Sequence, residues 1–349
     1  MNSLRQAFGG PLTVVILLLS GTWIFGMIAA PQVIMIEQSL WHMEQGDGGA
    51  ELTNRIDGLY NQVDVLALDR MDAEAIPAVS ERDATLLSID RQIKTLQDEI
   101  AELEIRETEP RKVYSLENYG LMGSAHFAIF VKTILASLAV TAIAFLVCYP
   151  IAYTVAKLAT PKSAALIMLG LIIPYSINEL LRIFAWQMIL NYNGVMNAFL
   201  GMFGVEPIAF LESGSGVFIA MVYAYILFMV FPIYNTIDTL DFNQVEAARD
   251  LGAPSWKIHW RVVLPHARPG IAVGCIMTFM LSAGSYAVPY IMTRGVAEPW
   301  FTQLIYNKFF ESTNWNVGAA YAFTLLIACV IFIFIMMKLL KVNLQDIAK

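Results

Sequence analysis

Glu179 and Arg182 stand three residues apart in an otherwise apolar stretch, Ala164–Leu190, so a helix there puts both charges on one face. A lone charge at the bilayer centre costs about 2.5–3.5 kcal/mol on insertion scales, so a charged pair in such a helix marks a binding or transport site. The spacing predicts mutual neutralisation along a solute path; an anchor at the outer headgroups is the other reading. Tyr175 and Trp186 flank the pair and fit equally as path-lining rings, packing, or an interface belt. Lys132 and Asp238 are the remaining charges that could serve as coupling-ion groups inside a membrane. Covalent chemistry is not signalled: there is no HExxH, no phosphate-binding loop and no recognisable Ser-His-Asp set. His42, His126, His259 and His266 are scattered, and Cys148, Cys275 and Cys329 all fall in apolar segments. Buried free thiols are expected, with no catalytic residue, no metal site and no cofactor on this chain.

The elements that must position these residues are membrane helices. In 349 residues, 57% are hydrophobic and 15% charged, which excludes a soluble globular protein. Apolar stretches run from Pro11 to about Met35, then over Phe127–Val155, Ala164–Leu190, Val217–Leu240, Gly270–Met292 and Val317–Leu340. The first could be a signal peptide, with Ala29-Ala30 as small residues, but its apolar run exceeds the usual signal core, and an uncleaved helix is expected. Six spanning helices result, an all-α polytopic membrane protein.

The net charge of −7 hides an asymmetry. Residues 36–126 hold 19 acidic against 8 basic side chains, whereas the rest of the chain holds 10 against 14. Within that acidic insertion Leu52, Ile56, Leu59, Val63 and Leu66 step by four and three, as do Leu86, Ile89, Ile93, Leu96, Ile100 and Leu103. Two heptad seams interrupted by Pro77 predict an antiparallel coiled-coil hairpin with charged flanks. The segmentation is therefore a tail and first helix over 1–35, the hairpin insertion over 36–113, and a five-helix core over 114–349. Arg5, Lys157, Lys162, Arg249, Lys257, Arg261, Arg268, Lys338, Lys341 and Lys349 mark one side of the bundle. By the positive-inside rule both termini are cytoplasmic and residues 36–126 face outward.

Between the fourth and fifth stretches lies a basic, helix-forming loop, 241–266. Good helix formers lead from Asn243 to Leu251, Gly252 fits the left-handed position past a helix end, and Pro254 suits the start of a second helix. There Trp256, Trp260 and Val263 fall on one apolar face, with Lys257 and Arg261 on another. The spacing Glu246-Ala247-Ala248, Gly252, Val262, Leu264-Pro265 resembles the EAA signature of the permease subunits of binding-protein-dependent ABC importers, with Val262 where Ile is usual. Pro174-Tyr175 through Trp186, Asn193-Gly194-Val195, Asp238 and Trp315-Asn316-Val317-Gly318-Ala319-Ala320 are similar to the polyamine (spermidine/putrescine) branch. The likeness covers about residues 114–341 and leaves out the insertion, which ordinary members lack.

That resemblance implies the type I importer permease fold in a bacterial inner membrane. Glu246, Ala247, Ala248, Gly252, Trp256, Leu264 and Pro265 would form the loop that docks on an ATPase subunit. ATP and magnesium would be bound by that partner, not by this chain. A second, non-identical permease, two ATP-binding subunits, a periplasmic solute-binding protein and the lipid bilayer are the implied partners, with no nucleic acid. Tyr175, Glu179, Arg182, Trp186, Ser285 and Tyr286 are the candidate solute path. Gly284-Ser285-Tyr286 departs from the branch, which often carries an acid between glycine and aromatic, so a polyamine would meet one carboxylate fewer. An opine or an amino-phosphonate therefore stays open as cargo. Two other classes compete: a membrane sensor or scaffold built on the outward coiled coil, and a secondary transporter using Glu179, Arg182, Lys132 or Asp238.

Overall fold

A computed structural model describes residues 9–44, 50–74, 79–108, 111–293 and 299–343. Arg5, Pro77 and Lys349, and the side chain of Leu52, lie outside the described residues. In chain order the elements used below are α1 (Gly10–Ser39), β1 (Trp41–Glu44), α2 (Ala50–Glu74), α3 (Val79–Thr108), β2 (Arg111–Tyr114) and α4 (Ser124–Leu158). Then come α5 (Pro161–Ser176), α6 (Glu179–Ile189), α7 (Ser215–Asp238), α8 (Phe242–Asp250), α9 (Ser255–Ala283), α10 (Ala287–Thr293) and α11 (Trp315–Leu340). They divide into two compact units, Leu40–Asn118 and the remainder. The smaller unit, Leu40–Asn118, contains most of the polar insertion, and α1 runs past Met35 to Ser39.

In the smaller unit the two predicted seams meet. Ile56 and Leu59 of α2 are buried against Ile100 and Leu103 of α3, with Val63 and Leu96 continuing the stripe. Arg55 pairs with Glu99 at 3.0 Å and Arg70 with Asp90 at 2.8 Å, so rising numbers on α2 meet falling numbers on α3 along the seam. Periodicity did not reveal the antiparallel ribbon between β1 and β2, in which Trp41 faces Tyr114 and Glu44 faces Arg111. Asn118 Nδ2 donates to the Trp41 carbonyl oxygen at 2.8 Å, tying the segment after β2 to the start of β1.

In the larger unit α1, α4, α7, α9 and α11 are each long and apolar enough to cross a membrane. The stretch expected to span as one helix over Ala164–Leu190 is instead α5 and α6, bent by 101°, and it makes a sixth span only if the pair is counted together. The cause is local. Asn178 Oδ1 accepts the Leu180 N–H at 2.9 Å, which starts a new helix inside the apolar run. Small residues allow the helices to approach, as packing in lipid requires. Ala144, Cys148 and Ala152 of α4 are fully buried against Met229, Val230 and Ile233 of α7. On α9, a Cβ added at Gly270 would overlap Thr236 Oγ1 and the Pro232 carbonyl oxygen of α7, and one at Gly274 would lie 2.9 Å from Met229 Sδ.

The fifth span also differs from expectation. It starts at Ser255 rather than Gly270 and stops at Ala283 rather than Met292, with α10 following after Gly284-Ser285-Tyr286. The second half of the anticipated helix–turn–helix is therefore the first part of a membrane helix. A π turn over His259–Val263, closed by Leu264 N–H on the His259 carbonyl oxygen, sits directly before Pro265. A straight α ladder would need an N–H there that proline lacks.

Candidate functional site

The candidate site residues fall mainly in two constellations, the exposed loop around α8 and the polar cluster where α5 breaks into α6. At the loop, Asp241 Oδ1 accepts the Asn243 N–H at 3.0 Å and caps α8. Val245 is buried beneath it, and Phe242 and Ala248 pack on the same core. Glu246 and Ala247 face outward. The helix ends in a Schellman closure: Ala253 N–H reaches the Ala248 carbonyl oxygen at 3.1 Å, and Gly252 N–H reaches that of Arg249 at 2.9 Å. Gly252 takes φ +76, which any other residue adopts at a cost, yet nothing in this chain lies within 4 Å of where its Cβ would be. Small size at Gly252 therefore leaves open the space outside the loop.

The apolar face predicted for Trp256, Trp260 and Val263 does not form. Ile258, Val263 and Ala267 are the buried residues, while Trp256 is 67% and Trp260 68% exposed. The π turn shifts the register, so the inward face follows α4 and α7 rather than the tryptophans. Leu264 and Pro265 are half-buried and line a groove with Trp260 and Arg268. Leu251, absent from the sequence-based selection, is 89% exposed at the tip of the turn. Its signal was its place just ahead of the glycine. A capped helix with an exposed acid, an outward leucine and two outward indoles offers a protein-docking surface, not a reaction centre.

At the second constellation Tyr175 is committed to structure. Its hydroxyl lies 3.0 Å from the Tyr223 carbonyl oxygen and 2.8 Å from that of Ala224, and accepts the Leu227 N–H at 3.4 Å, inside the α7 ladder. Its ring carries the Arg182 guanidinium at 4.5 Å, a cation–π contact. The expected neutralisation of Glu179 by Arg182 is absent: no ion pair joins them among the described residues, and Glu179 is exposed at the start of α6. Arg182 Nε and Nη1 are buried without a hydrogen-bond partner. Trp186 packs on Tyr223 with ring centroids 5.1 Å apart.

Ser285 is buried, its carbonyl oxygen accepting Thr302 Oγ1 at 2.7 Å. The structure thus gathers Tyr175, Arg182 and Trp186 beside Tyr223 of α7, while Glu179 is exposed. Tyr223 and Tyr225 were missed, though two tyrosines alternating inside an apolar helix were the available signal. Tyr286 joins a different set, stacking on Tyr290 at 5.2 Å and Tyr306 at 4.7 Å. Lys132 lines another cavity, of about 320 Å³, with Glu212 and Trp300. Asp238 ends α7 with its carbonyl oxygen bound by Lys157.

Apolar spans joined by one exposed capped helix, with a polar cluster at a helix break, make the larger unit a polytopic membrane bundle. Residues 113–342 match the family described as binding-protein-dependent transport system inner membrane component, and the chain belongs to that family, as the permease subunit of an ABC importer. The spermidine/putrescine transport system permease protein PotB of Salmonella typhimurium (strain LT2) is 33% identical over 220 residues, covering 62% of this chain and 76% of that protein. The inner membrane ABC transporter permease protein YdcU of Escherichia coli (strain K12) is 30% identical over 218 residues, covering 59% and 68%. A crystal structure of a bacterial ABC transporter that imports the acidic polysaccharide alginate shares the fold, with a TM-score of 0.53 at 14% identity over 66% of this chain and 84% of that one.

Proposed function

We propose that this chain is one permease of a pair that imports a small organic solute of the polyamine class, driven by ATP hydrolysed in separate subunits. In this reading the 241–266 loop and both termini face the cytoplasm. Residues 36–126 face the periplasm, where a solute-binding protein delivers cargo. The loop is the coupling element: Glu246, Ala247, Ala248, Gly252, Trp256, Leu264 and Pro265 meet the ATPase, and closure of that partner switches the bundle between outward- and inward-open states. The observation that carries this is the Schellman-closed α8, with its hydrophobic underside bound to the bundle and Leu251, Trp256 and Trp260 left outward. Likeness to the spermidine/putrescine permeases supports the solute class, as does the aromatic surround of Tyr175, Trp186, Tyr223 and Tyr225, which suits a cation.

A second cargo, an opine or amino-phosphonate, is favoured by one specific observation. Arg182 presents Nε and Nη1 with no partner, and Ser285 stands where an acid would greet a dication. A carboxylate or phosphonate would satisfy that guanidinium. The deciding measurement is mass spectrometry of the solute retained by the cognate binding protein, followed by uptake of the labelled compound. A retained polyamine supports the first cargo, and a retained anion-bearing solute replaces it with the second. For the coupling role, Glu246→Lys and Gly252→Asp are expected to abolish uptake while the protein remains in the membrane. Full uptake with normal ATPase association in both variants would remove the loop from the mechanism.

A further inference from the structure

Both flanks of α8 are fastened to the same third helix. Tyr149 and Tyr153 fall at i and i+4 on one face of α4, and Lys157 lies in the π turn Thr154–Leu158 that ends it. Lys157 Nζ donates to the Asp238 carbonyl oxygen at 2.9 Å and to that of Leu240 at 2.7 Å. The first is a terminal acceptor of α7 and the second lies two residues past its end, and a cation there also complements the negative end of the helix dipole. Leu240 immediately precedes Asp241, the residue that caps α8. On the other flank, the Tyr149 hydroxyl and His259 Nδ1 are 2.7 Å apart, and Tyr153 meets the His259 ring edge-on at 4.6 Å. His259 opens the π turn, so a wound-in extra residue and a buried aromatic contact coincide at one point.

We infer that α4 is the direct recipient of the loop's motion, and that Lys157, Tyr149 and His259 are positioning residues that hold the coupling loop to it as one body. This rests on the coupling role proposed above. Covalent continuity alone would deliver a displacement of α8 only to α7 and α9. The two clamps add α4, which extends the linkage across the bundle. Its Val140 packs with Ile183, Tyr225 and Val288 in the core beside the polar cluster. Further along, its Thr133 Oγ1 accepts the Phe301 N–H at 2.9 Å. A push on the loop therefore reaches the buried Tyr225 through α4, which touches both ends of the lever.

The test uses the complete importer with its binding protein in proteoliposomes, reading solute moved per ATP hydrolysed. Lys157→Met and Tyr149→Phe keep side-chain volume and remove one clamp each. Each is expected to lower the transport-to-hydrolysis ratio about tenfold with assembly and basal hydrolysis retained, and Lys157→Arg to restore it. A merely structural role would lower assembly, hydrolysis and transport together. If both variants transport at the parent ratio while Glu246→Lys is dead, the clamp is overturned and the coupling reading stands. If Glu246→Lys also transports normally, both fall. Should a variant not assemble, spin labels on Leu158→Cys and Asn243→Cys in the otherwise unaltered complex decide instead. Their separation stays constant between resting and ATP-bound states if α4 and α8 move as one body, and a change in it overturns the inference.

Discussion

The hairpin and the membrane bundle dispose of polarity in opposite ways. In the hairpin, charges meet each other at the surface: Arg55 with Glu99 and Arg70 with Asp90, side chains 65% against 39% and 43% against 55% exposed. Such pairs contribute little, roughly 0–1 kcal/mol, and the hairpin's stability comes from its aliphatic seam. In the bundle several polar side chains turn to backbone carbonyls instead. Lys157 caps α7, Tyr175 enters the α7 ladder, and Gln187 Nε2 donates to the Ile291 carbonyl oxygen at 2.8 Å. Where water is the solvent, a charge needs no particular partner. Where lipid is, a buried polar group must find a partner within the protein, and it becomes a joint between helices.

The sharpest way to break this comparison is to add the same methyl to a glycine in each region. Gly270→Ala places a Cβ where Thr236 Oγ1 and the Pro232 carbonyl oxygen already are, at the crossing of α9 and α7. We expect a loss of about 3 kcal/mol, seen as a lower unfolding temperature of the purified complex and less protein in the membrane. An unchanged melting point would mean that the crossing is looser than the structure has it. Next in size is Ile100→Ala, which empties a site only 4% exposed in the hairpin seam. It should cost about 2–3 kcal/mol, read as faster hydrogen exchange across α2 and α3 with exchange in α7 and α9 unaltered. Exchange rising equally in both regions would show that they do not unfold separately.

Legibility in the sequence followed the same divide. The seams, the glycine turn at 252 and the apolar spans are local or periodic, so residue type and spacing suffice to find them. The 101° break was hidden because a single asparagine, Asn178, begins a helix inside an apolar run. Trp256, Trp260 and Val263 were put on one face because a 3.6-residue period was carried through a turn that has π geometry, and only Val263 of the three is buried. Glu179 and Arg182 do share a helix, but the guanidinium is drawn to the Tyr175 face, a contact between α6 and the end of α5 that spacing along one helix cannot show. The β1–β2 ribbon is too short, four residues a side, for alternation to register.

A smaller effect comes from the matching glycine in the hairpin. Gly58 lies within α2, and its added Cβ would meet nothing within 4 Å. Gly58→Ala should therefore stabilise the hairpin by about 0.5–1 kcal/mol, because alanine loses less backbone entropy on becoming helical. Slower exchange in α2 would report it, and destabilisation would show that the position is covered in the assembled protein.

The finest test asks whether a hairpin charge behaves as a solvated one. The Tyr60 phenol donates to Glu104 Oε1 at 2.7 Å. Ionising it would give up that bond and set two negative charges side by side, which holds its pKa above the ordinary 10.0. The folded-state value is raised, so the bond's contribution is complete below the unfolded value and fades as pH climbs through the folded one. It is constant across the neutral range, and the exposure of Tyr60 to water keeps it small. Glu104→Gln should bring the phenol back toward its ordinary titration, followed by selectively labelled tyrosine resonances in the full chain. If the parent already titrates at the ordinary value, the bond is exchanging with water, and the hairpin surface is looser still than its counterpart in lipid.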